Sequence, residues 1–576
     1  MDVLNPIYTE KTECQDCYKC LRECSVKAIR VEGGMASIVS ELCVLCGHCV
    51  EICPVGAKRV RDDLPRAKRL LETKEKIIVS LAPSFASEFP GISVAKLIAA
   101  IKKLGFYAVS ETARGADLVA ARVAEQLQEG VALRTATKQI YISSACPTVV
   151  EHIKKYRPEF SSGITDLYSP LLSHARELKE IYGNEIGIIF IGPCISKKRE
   201  SDLHRDLVDV SIDFQDLSIW LEEKKINPLL LSTNEADIFV PNRAAKGALY
   251  PVDGGMIAAI KRYKLPEQAR FMSFSGIEEI DRALCDLSEA NLDAPVFLEL
   301  LSCPGGCVNG PRSRSRSGTI TKRLSVLSYA ESAAERYEGQ SFNLHDIRSL
   351  RPVHNKEASS EEIAEALRHT GKYSRDDELN CGACGYNTCR DFAAAMIADK
   401  AEAEMCVSYM RKLAQKKANS LIKSIPSGVV IIDKDLRIVE CNYNFVRLLG
   451  GEAEQLWQAK PGLEGASLEK LVPFHRYFRD ALNGGEALNR DLRLDGRIFH
   501  ATVFCIEKGF FAGGVFQDIT DPWVRKDRVV SQARKVITKN LAVVQKIAFL
   551  LGENAAESES ILNSIIESFD KVEVEK

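Results

Sequence analysis

The stretch Leu298 to Gly310, Leu-Glu-Leu-Leu-Ser-Cys-Pro-Gly-Gly-Cys-Val-Asn-Gly, constrains this chain more than any other. It sets Cys303 and Cys307 on a glycine-rich turn directly after the apolar run Pro295 to Leu298. Gly305, Gly306 and Gly310 permit positive φ and close backbone approach, so a loop can wrap a bulky group while presenting two thiolates. Cys146 and Cys194 stand in the same kind of place. Cys146 lies in Ser-Ser-Ala-Cys-Pro after the strand candidate Gln139 to Ile142. Cys194 lies in Ile-Gly-Pro-Cys-Ile-Ser-Lys-Lys-Arg-Glu after Ile186 to Ile191. In α/β sheets, ligands bind at the carboxyl ends of strands. Four thiols delivered from three strand ends predict a soft-metal site, with iron–sulfur the first expectation.

These three stretches resemble the catalytic domain of the iron-only (FeFe) hydrogenases, whose three cysteine motifs carry the H-cluster. The resemblance implies that Cys146, Cys194, Cys303 and Cys307 bind a 4Fe–4S cubane. Cys307 would also bridge it to a two-iron unit bearing CO, cyanide and a bridging dithiolate. It further implies that Lys197 holds one cyanide and that Ser84, in Leu81-Ala82-Pro83-Ser84, donates to the other. Ala82, Pro83, Glu200 and Glu299, from the same stretches, join the expected cofactor-binding residues. For Lys197 or Ser84 alone, a surface or turn role is the plain alternative.

One departure bears on rate. In productive members of that family the residue before the first H-cluster cysteine is a cysteine that passes protons; here it is Ala145. The helix candidate Ala116 to Gln128 carries Arg122 and Val123 where the next carboxylates of that route are expected. Positioned proton transfer contributes roughly 10²–10⁴ in rate. The resemblance with these departures implies a hydrogen sensor that reversibly converts H2 to two protons and two electrons at low turnover. A catalytic ferredoxin-linked or electron-bifurcating hydrogenase with a regulatory domain is the second expectation. A non-enzymatic iron–sulfur relay is the third.

The rest of the chain supplies context. At 576 residues, about three to five domains are expected. A net charge of −2 gives no global electrostatic case for nucleic acid or membrane, and no apolar run approaches the roughly 20 residues of a membrane span. The nineteen cysteines fall into metal-ligand motifs except Cys285, Cys441 and Cys505, which are expected to pack. That usage, with no signal-peptide core at the N-terminus, predicts a reducing, cytoplasmic setting.

Residues 1–65 hold Cys14-x2-Cys17-x2-Cys20-x3-Cys24 and Cys43-x2-Cys46-x2-Cys49-x3-Cys53-Pro54, the doubled bacterial ferredoxin run in which each fourth cysteine serves the other cluster. One 4Fe–4S cluster is expected on Cys14, Cys17, Cys20 and Cys53, and a second on Cys43, Cys46, Cys49 and Cys24. Arg61 to Lys76 reads as a connecting helix. Residues 76–355 alternate strand candidates (Ile77 to Leu81, Tyr107 to Val109, Gln139 to Ile142, Ile186 to Ile191, Val296 to Leu298) with helical stretches, an α/β pattern. The loop Arg312 to Ser317, Arg-Ser-Arg-Ser-Arg-Ser, is read as solvated surface.

Residues 356–410 carry Cys381-x2-Cys384-x4-Cys389 and Cys406, which resembles a compact four-cysteine 4Fe–4S domain of electron-transfer complexes; zinc competes for four thiolates. The alanine-rich run Asp391 to Glu404 is expected to be helical and to continue through Met410 to Ile422 as a long connector. Residues 420–521 resemble a PAS sensory domain, with Gly428 to Val439 as two strands, a helix starting in Cys441 to Gly450, and strands at Leu488 to Leu494, Arg497 to Cys505 and Phe510 to Phe516. His475 and His500 are read as ordinary residues rather than haem ligands. Residues 522–576 show apolar stripes, Val530 to Leu551 and Leu562 to Phe569, that must be buried against their own domain, a second copy or a partner.

The expected fold is therefore multidomain, α/β and α+β: a two-cluster ferredoxin domain, an α/β H-cluster domain, a small four-cysteine iron–sulfur domain, a PAS domain and C-terminal helices. Expected partners are H2, a ferredoxin-like redox protein, a signalling protein reached through the PAS domain and C-terminal helices, and a second copy of the chain.

Overall fold

The computed structural model describes residues 5–520 apart from 16, 33–34, 133–138, 290–291, 293, 338–341, 347–351, 354–357, 486 and 495, together with 530–531, 534–535 and 538. The expected C-terminal helices thus lie almost wholly outside the described residues. The chain divides into two compact units, 1–410 and 411–576.

The first unit opens with β1 (Ile7–Thr9), β2 (Ile29–Glu32), β3 (Met35–Ile38) and β4 (Lys58–Val60), paired antiparallel as β1 with β4 and β2 with β3. Two short helices, Lys19–Arg22 and His48–Ile52, lie between the strands inside the cysteine runs. The expected connecting helix is Leu64–Thr73, with Pro65 in its first turn, where a missing N–H costs nothing.

Next come β5 (Ile77–Leu81), β6 (Ala108–Glu111), β7 (Ile140–Ile142), β8 (Gly187–Ile191), β9 (Val210–Ile212), β10 (Arg270–Ser275) and β11 (Val296–Leu301). They form two parallel sheets, ordered β6-β5-β8-β9 and β10-β11-β7. Every residue of β5, β8 and β11 is buried, as their nearly unbroken apolar runs require of strands covered on both faces. The core of the larger sheet joins Ile78, Val79, Ile188 and Ile189 to Leu171 and Leu178 of helix Pro170–Tyr182 and to Phe214 and Trp220 of helix Phe214–Glu223. Gly115, on helix Ala113–Ala132, lets that helix cross Pro170–Tyr182 closely: a Cβ there would stand 1.9 Å from Pro170 O.

The four-cysteine segment corrects one expectation. The alanine-rich run is not one helix continuing into the connector. Helix Cys389–Ile397 stops, Asp399 takes φ +55, and Lys400 N–H returns to Ala395 O at 2.8 Å. A 3-10 turn, Ala403–Met405, precedes a new helix, Val407–Ser424. A continuous helix would carry Cys406 roughly 25 Å from Cys389, at about 1.5 Å per residue. The break instead returns Met405 and Cys406 to a core with Phe392, Leu21 and Cys20.

Two further expectations change. Cys285 does not pack; it is exposed, and its Sγ accepts from Arg157 Nη2 at 3.3 Å. Arg312 is not free surface, since its guanidinium reaches Asp213 Oδ2 at 2.5 Å while Ser313 Oγ and Arg314 N–H bind Glu88; Arg314 and Arg316 are exposed.

The second unit holds β12 (Gly428–Asp433), β13 (Ile438–Cys441), β14 (Leu488–Leu494), β15 (Arg497–Glu507) and β16 (Phe511–Asp518) in one antiparallel sheet ordered β13-β12-β16-β15-β14. Phe516 gathers Phe445, Phe474 and Phe478 at ring distances of 5.4, 5.4 and 6.3 Å to make its core. His475 Nδ1 lies 3.1 Å from Val472 O, and His500 Nδ1 lies 2.7 Å from Asp491 Oδ1.

Candidate metal centre

The strand ends of the first unit converge. Ser84 follows β5 and opens the helix Phe85–Glu88. Cys146 follows β7 at the N-terminus of Pro147–Tyr156, whose first-turn proline fits a helix start. Cys194 follows β8 just before Ser196–Leu203, and Cys303 and Cys307 follow β11, which also carries Glu299. The turn between the last two cysteines demands glycine. Gly306 sits at φ +102, and a Cβ on it would lie 2.4 Å from Pro251 O.

Together these ends enclose a cavity of about 100 Å³. Its walls include Ala82, Pro83, Ser84, Ala145, Cys146, Cys194, Lys197, Glu299 and Cys307, so most of the expected site residues meet in one place. Cys303 lines a separate groove, shared with Cys46 and Glu51, yet remains within electrostatic reach of Cys146, Cys194 and Cys307. Glu200 is not on the cavity wall. It lines a neighbouring polar groove and reaches the cavity through Lys197, whose ammonium donates to Glu200 Oε2 at 2.7 Å and to Ser169 Oγ at 2.9 Å.

Electrostatics and hydrogen bonding show what would fit. Burial, and then the neighbouring thiols, push Cys146, Cys303 and Cys307 above the usual thiol range. Such thiols ionise when a metal cluster supplies the missing positive charge. Ser84 Oγ, Tyr250 OH and Glu299 Oε1 are buried without a protein hydrogen-bond partner, and all three residues line the cavity. Buried polar atoms are normally satisfied, so these orphans suit a polar-ended guest. Burial pushes the Glu299 carboxyl up to about 7, against the N–H groups of Ile257 and Met256, which favour its charged form. Soft thiolates, apolar walls and outlying donors form a donor set that fits an iron–sulfur cluster carrying small polar ligands.

The three positions expected to carry a relay, 145, 122 and 123, hold no thiol or carboxyl. Ala145 packs on the apolar cluster that holds Val123, which is fully buried, while the Arg122 guanidinium turns to Glu125. Tyr250, Met256 and Thr112 also line the cavity, and no spacing signal finds them: Tyr250 closes a short 3-10 turn, Lys246–Leu249, and Met256 sits on the short helix Gly255–Ile260. Ser143 Oγ contacts Met256 Sδ at 3.0 Å. Thr112 begins a buried chain, Thr112 Oγ1 to Ser80 Oγ to His174 Nδ1, with His174 Nε2 on Ser110 Oγ.

In the N-terminal stretch, Cys24 lies within electrostatic reach of Cys43, Cys46 and Cys49, and Cys53 lies near Cys20, as do Cys14 and Cys17. Cys384 lies near Cys381 and Cys406. Although burial raises it, the Cys406 thiol is held below its usual value by the Ser408 hydroxyl, the Tyr409 N–H and the Lys372 ammonium, whose Nζ is 3.2 Å from Sγ. Cys389 opens its helix, its N–H on Asn380 Oδ1 at 2.7 Å. Among the described residues no group of three or more His, Cys, Asp or Glu closes to the spacing of a single metal ion, and no helix is long and apolar enough to cross a membrane.

Comparison with known proteins agrees with the order of these parts. Residues 75–311 match the iron-only hydrogenase large subunit, C-terminal domain; 36–59 match a 4Fe-4S binding domain, 377–408 an Fe-S cluster family and 417–486 a PAS domain. The chain is 24% identical over 447 residues to the NADP-reducing hydrogenase subunit HndD of Solidesulfovibrio fructosivorans, covering 65% of this chain and 76% of that one. It is 24% identical over 308 residues to iron hydrogenase 1 of Clostridium pasteurianum, covering 45% and 53%. A solved variant of the FeFe-hydrogenase HydA1 from Chlamydomonas reinhardtii aligns over 48% of this chain and 91% of that one, at 20% identity and a TM-score of 0.38. The chain carries an iron-only hydrogenase large-subunit domain, set between a 4Fe–4S binding domain and a second iron–sulfur unit and followed by a PAS domain.

Proposed function

We propose that the chain is a hydrogen-responsive FeFe hydrogenase of low turnover, whose redox state is read out through its iron–sulfur units and PAS domain. Cys146, Cys194, Cys303 and Cys307 would hold the cubane of an H-cluster, with Cys307 also bridging to the two-iron unit. When bound, that cluster supplies the reversible conversion of H2 to two protons and two electrons. The chain's own residues bind, orient and shield it. Ala82, Pro83 and Ala145 keep the cavity apolar and exclude water. Ser84 Oγ aims an unspent donor into it, and Lys197, fixed by Glu200 and Ser169, brings the cation.

The observation that carries the reading is the pairing of a complete thiol set with a missing proton relay. The Ala145 methyl transfers no proton, Val123 is buried in apolar surroundings, and Arg122 is turned to Glu125. Among the described residues Glu299 is the one carboxyl on the cavity wall, and at about 7 it holds a proton for part of the time near neutrality. Without a positioned relay a site loses roughly 10²–10⁴ in rate, which suits a detector better than a producer. Two ferredoxin-type clusters, on Cys14, Cys17, Cys20 with Cys53 and on Cys43, Cys46, Cys49 with Cys24, would carry electrons. A further cluster on Cys381, Cys384, Cys389 and Cys406 would lead toward the PAS domain and a signalling partner.

The test is an infrared spectrum of anaerobically matured protein in the CO and cyanide stretching region, under argon and then under H2. Bands that shift with the gas are expected. Their absence in iron-replete protein exposed to competent maturases would leave an iron–sulfur relay and overturn the hydrogen reading. Turnover as fast as a productive hydrogenase would overturn the sensor assignment and restore the catalytic one.

A further inference from the structure

The four-cysteine segment is fitted to one particular spot on the ferredoxin fold. Gly385 sits at φ +88 against the helix Lys19–Arg22, where a Cβ would stand 2.6 Å from the Leu21 side chain and 3.0 Å from Leu21 O. The next residue, Tyr386, packs with Cys384, Cys24 and Cys49 onto a core of Leu21, Phe392 and Met405. Its ring lies 5.7 Å from that of Phe392, and its hydroxyl is buried without a protein partner. Its ring thus packs into the same core as Cys24 of one thiol set and Cys384 of the other.

Across the ferredoxin fold, the same thiol set shares a groove with Cys303. Cys46 and Cys303 face one groove, together with Glu51 and Ser302. The loop carrying Cys43 is fastened to the helix that begins beside Cys146: Lys155 Nζ donates to Cys43 O at 2.9 Å, and Tyr156 OH donates to Leu42 O at 2.7 Å. The other set differs, for its Cys17 is exposed.

We propose that Tyr386 positions an electron junction. The set Cys24, Cys43, Cys46 and Cys49 exchanges electrons with the cavity past Cys303 and with the four-cysteine unit past Tyr386. The set Cys14, Cys17, Cys20 and Cys53 is left as a side branch open to an external redox partner. Each transfer moves one electron from the reduced group on the Cys24 set to the oxidised group on the Cys384 set. No bond forms or breaks and no proton moves; the electrons come from H2 in the proposed activity, or from dithionite in the test. The proposal rests on the hydrogen reading only for that source. A competing contact exists, because Cys20 reaches the same core as Cys406.

The experiment is electron paramagnetic resonance on iron-loaded full-length protein without the two-iron unit, reduced by dithionite. Spin–spin broadening that involves the four-cysteine unit is expected in the wild type and in Tyr386→Phe. It should be lost in Tyr386→Ala and Gly385→Val at unchanged iron content, and Tyr386→Leu gives the same readout should the alanine variant lose iron. Broadening that survives in Tyr386→Ala and Tyr386→Leu but disappears in Cys17→Ala would assign the contact to the other set and overturn the proposal. With the two-iron unit installed, Tyr386→Ala should slow H2-driven reduction of the four-cysteine unit while leaving viologen-linked H2 oxidation unchanged. A wild type that shows the broadening but is not reduced by H2 would refute the hydrogen reading and leave the junction standing.

Discussion

Lys197 and Glu200 join two compartments: the lysine forms part of the thiol-ringed cavity wall, and its ammonium is held 2.7 Å from a carboxylate that lines the groove outside. The helix Ser196–Leu203 makes the pairing automatic, since residues three apart share a face. Ser169, from the start of Pro170–Tyr182, takes a second ammonium proton and fixes the direction of the third.

Lys197→Met should therefore do two separable things. Leaving Glu200 without its partner, with both side chains only 10% exposed, costs roughly 3–5 kcal/mol of stability. Removing the cation from the cavity should also prevent the two-iron unit from being retained. Iron analysis should show iron lost from the cavity while the 4Fe–4S signals of the cysteine sets persist. Full retention of CO and cyanide bands in this variant would remove Lys197 from the cofactor-binding set.

Ala145→Cys tests whether the missing relay limits rate. The position lines the cavity and is half-buried, so a thiol fits without opening the core. We expect H2 oxidation to rise by up to about 10²-fold, the lower part of the range for positioned proton transfer, because Val123 and Arg122 still interrupt the route further out. The measurement is viologen-linked H2 uptake at equal two-iron occupancy. An unchanged rate would mean that loss of this relay does not explain slow turnover.

The parts visible in the sequence were those written in spacing. Cysteine intervals and apolar runs identified β5, β8 and β11 and the three loops they carry, because a strand covered on both faces has few alternatives. What escaped was set by tertiary contact. β10, with two serines and only partial burial, lacks any apolar run, and β9 is three residues long. The alanine-rich helix breaks at Asp399 because Cys406 must return to the Leu21 core, a demand that local propensity does not encode. Tyr250 and Met256 reach the cavity from a 3-10 turn and a helix of 6 residues, both too short for periodicity to mark them.

His174 should make the first unit acid-sensitive. It is fully buried between Ser80 and Ser110, and burial, then the Arg114 charge, lowers it from 6.5 to about 3. Between those values the unfolded chain takes up a proton that the folded one does not. Stability therefore falls as pH falls, by up to about 1.4 kcal/mol per unit. Above 6.5 the contribution is complete. Denaturant unfolding followed at several pH values should show this slope, reduced by one proton in His174→Asn, which keeps a donor and an acceptor for the two serines. An identical slope in both proteins would place the acid-sensitive group elsewhere.

Asn442 organises the start of the second unit through both ends of its amide. Oδ1 accepts from Val429 N–H at 2.8 Å and from Phe445 N–H at 3.0 Å, capping the helix Tyr443–Leu449 and pinning β12 beside it. Nδ2 donates to Ser427 O at 2.9 Å and Ile422 O at 3.0 Å, which ties down the chain entering the sheet. Asn442→Ala loses the cap, about 0.5–2 kcal/mol, and strands buried backbone groups at a further ~1–3 kcal/mol. Calorimetry of the full chain should show the transition of the second unit falling while that of residues 1–410 stays. Asn442→Asp separates the two contributions. A carboxylate still caps but faces the carbonyls of Ser427 and Ile422 with no proton to offer, so it should destabilise at least as much as alanine. Rescue by aspartate would mean that the cap alone matters.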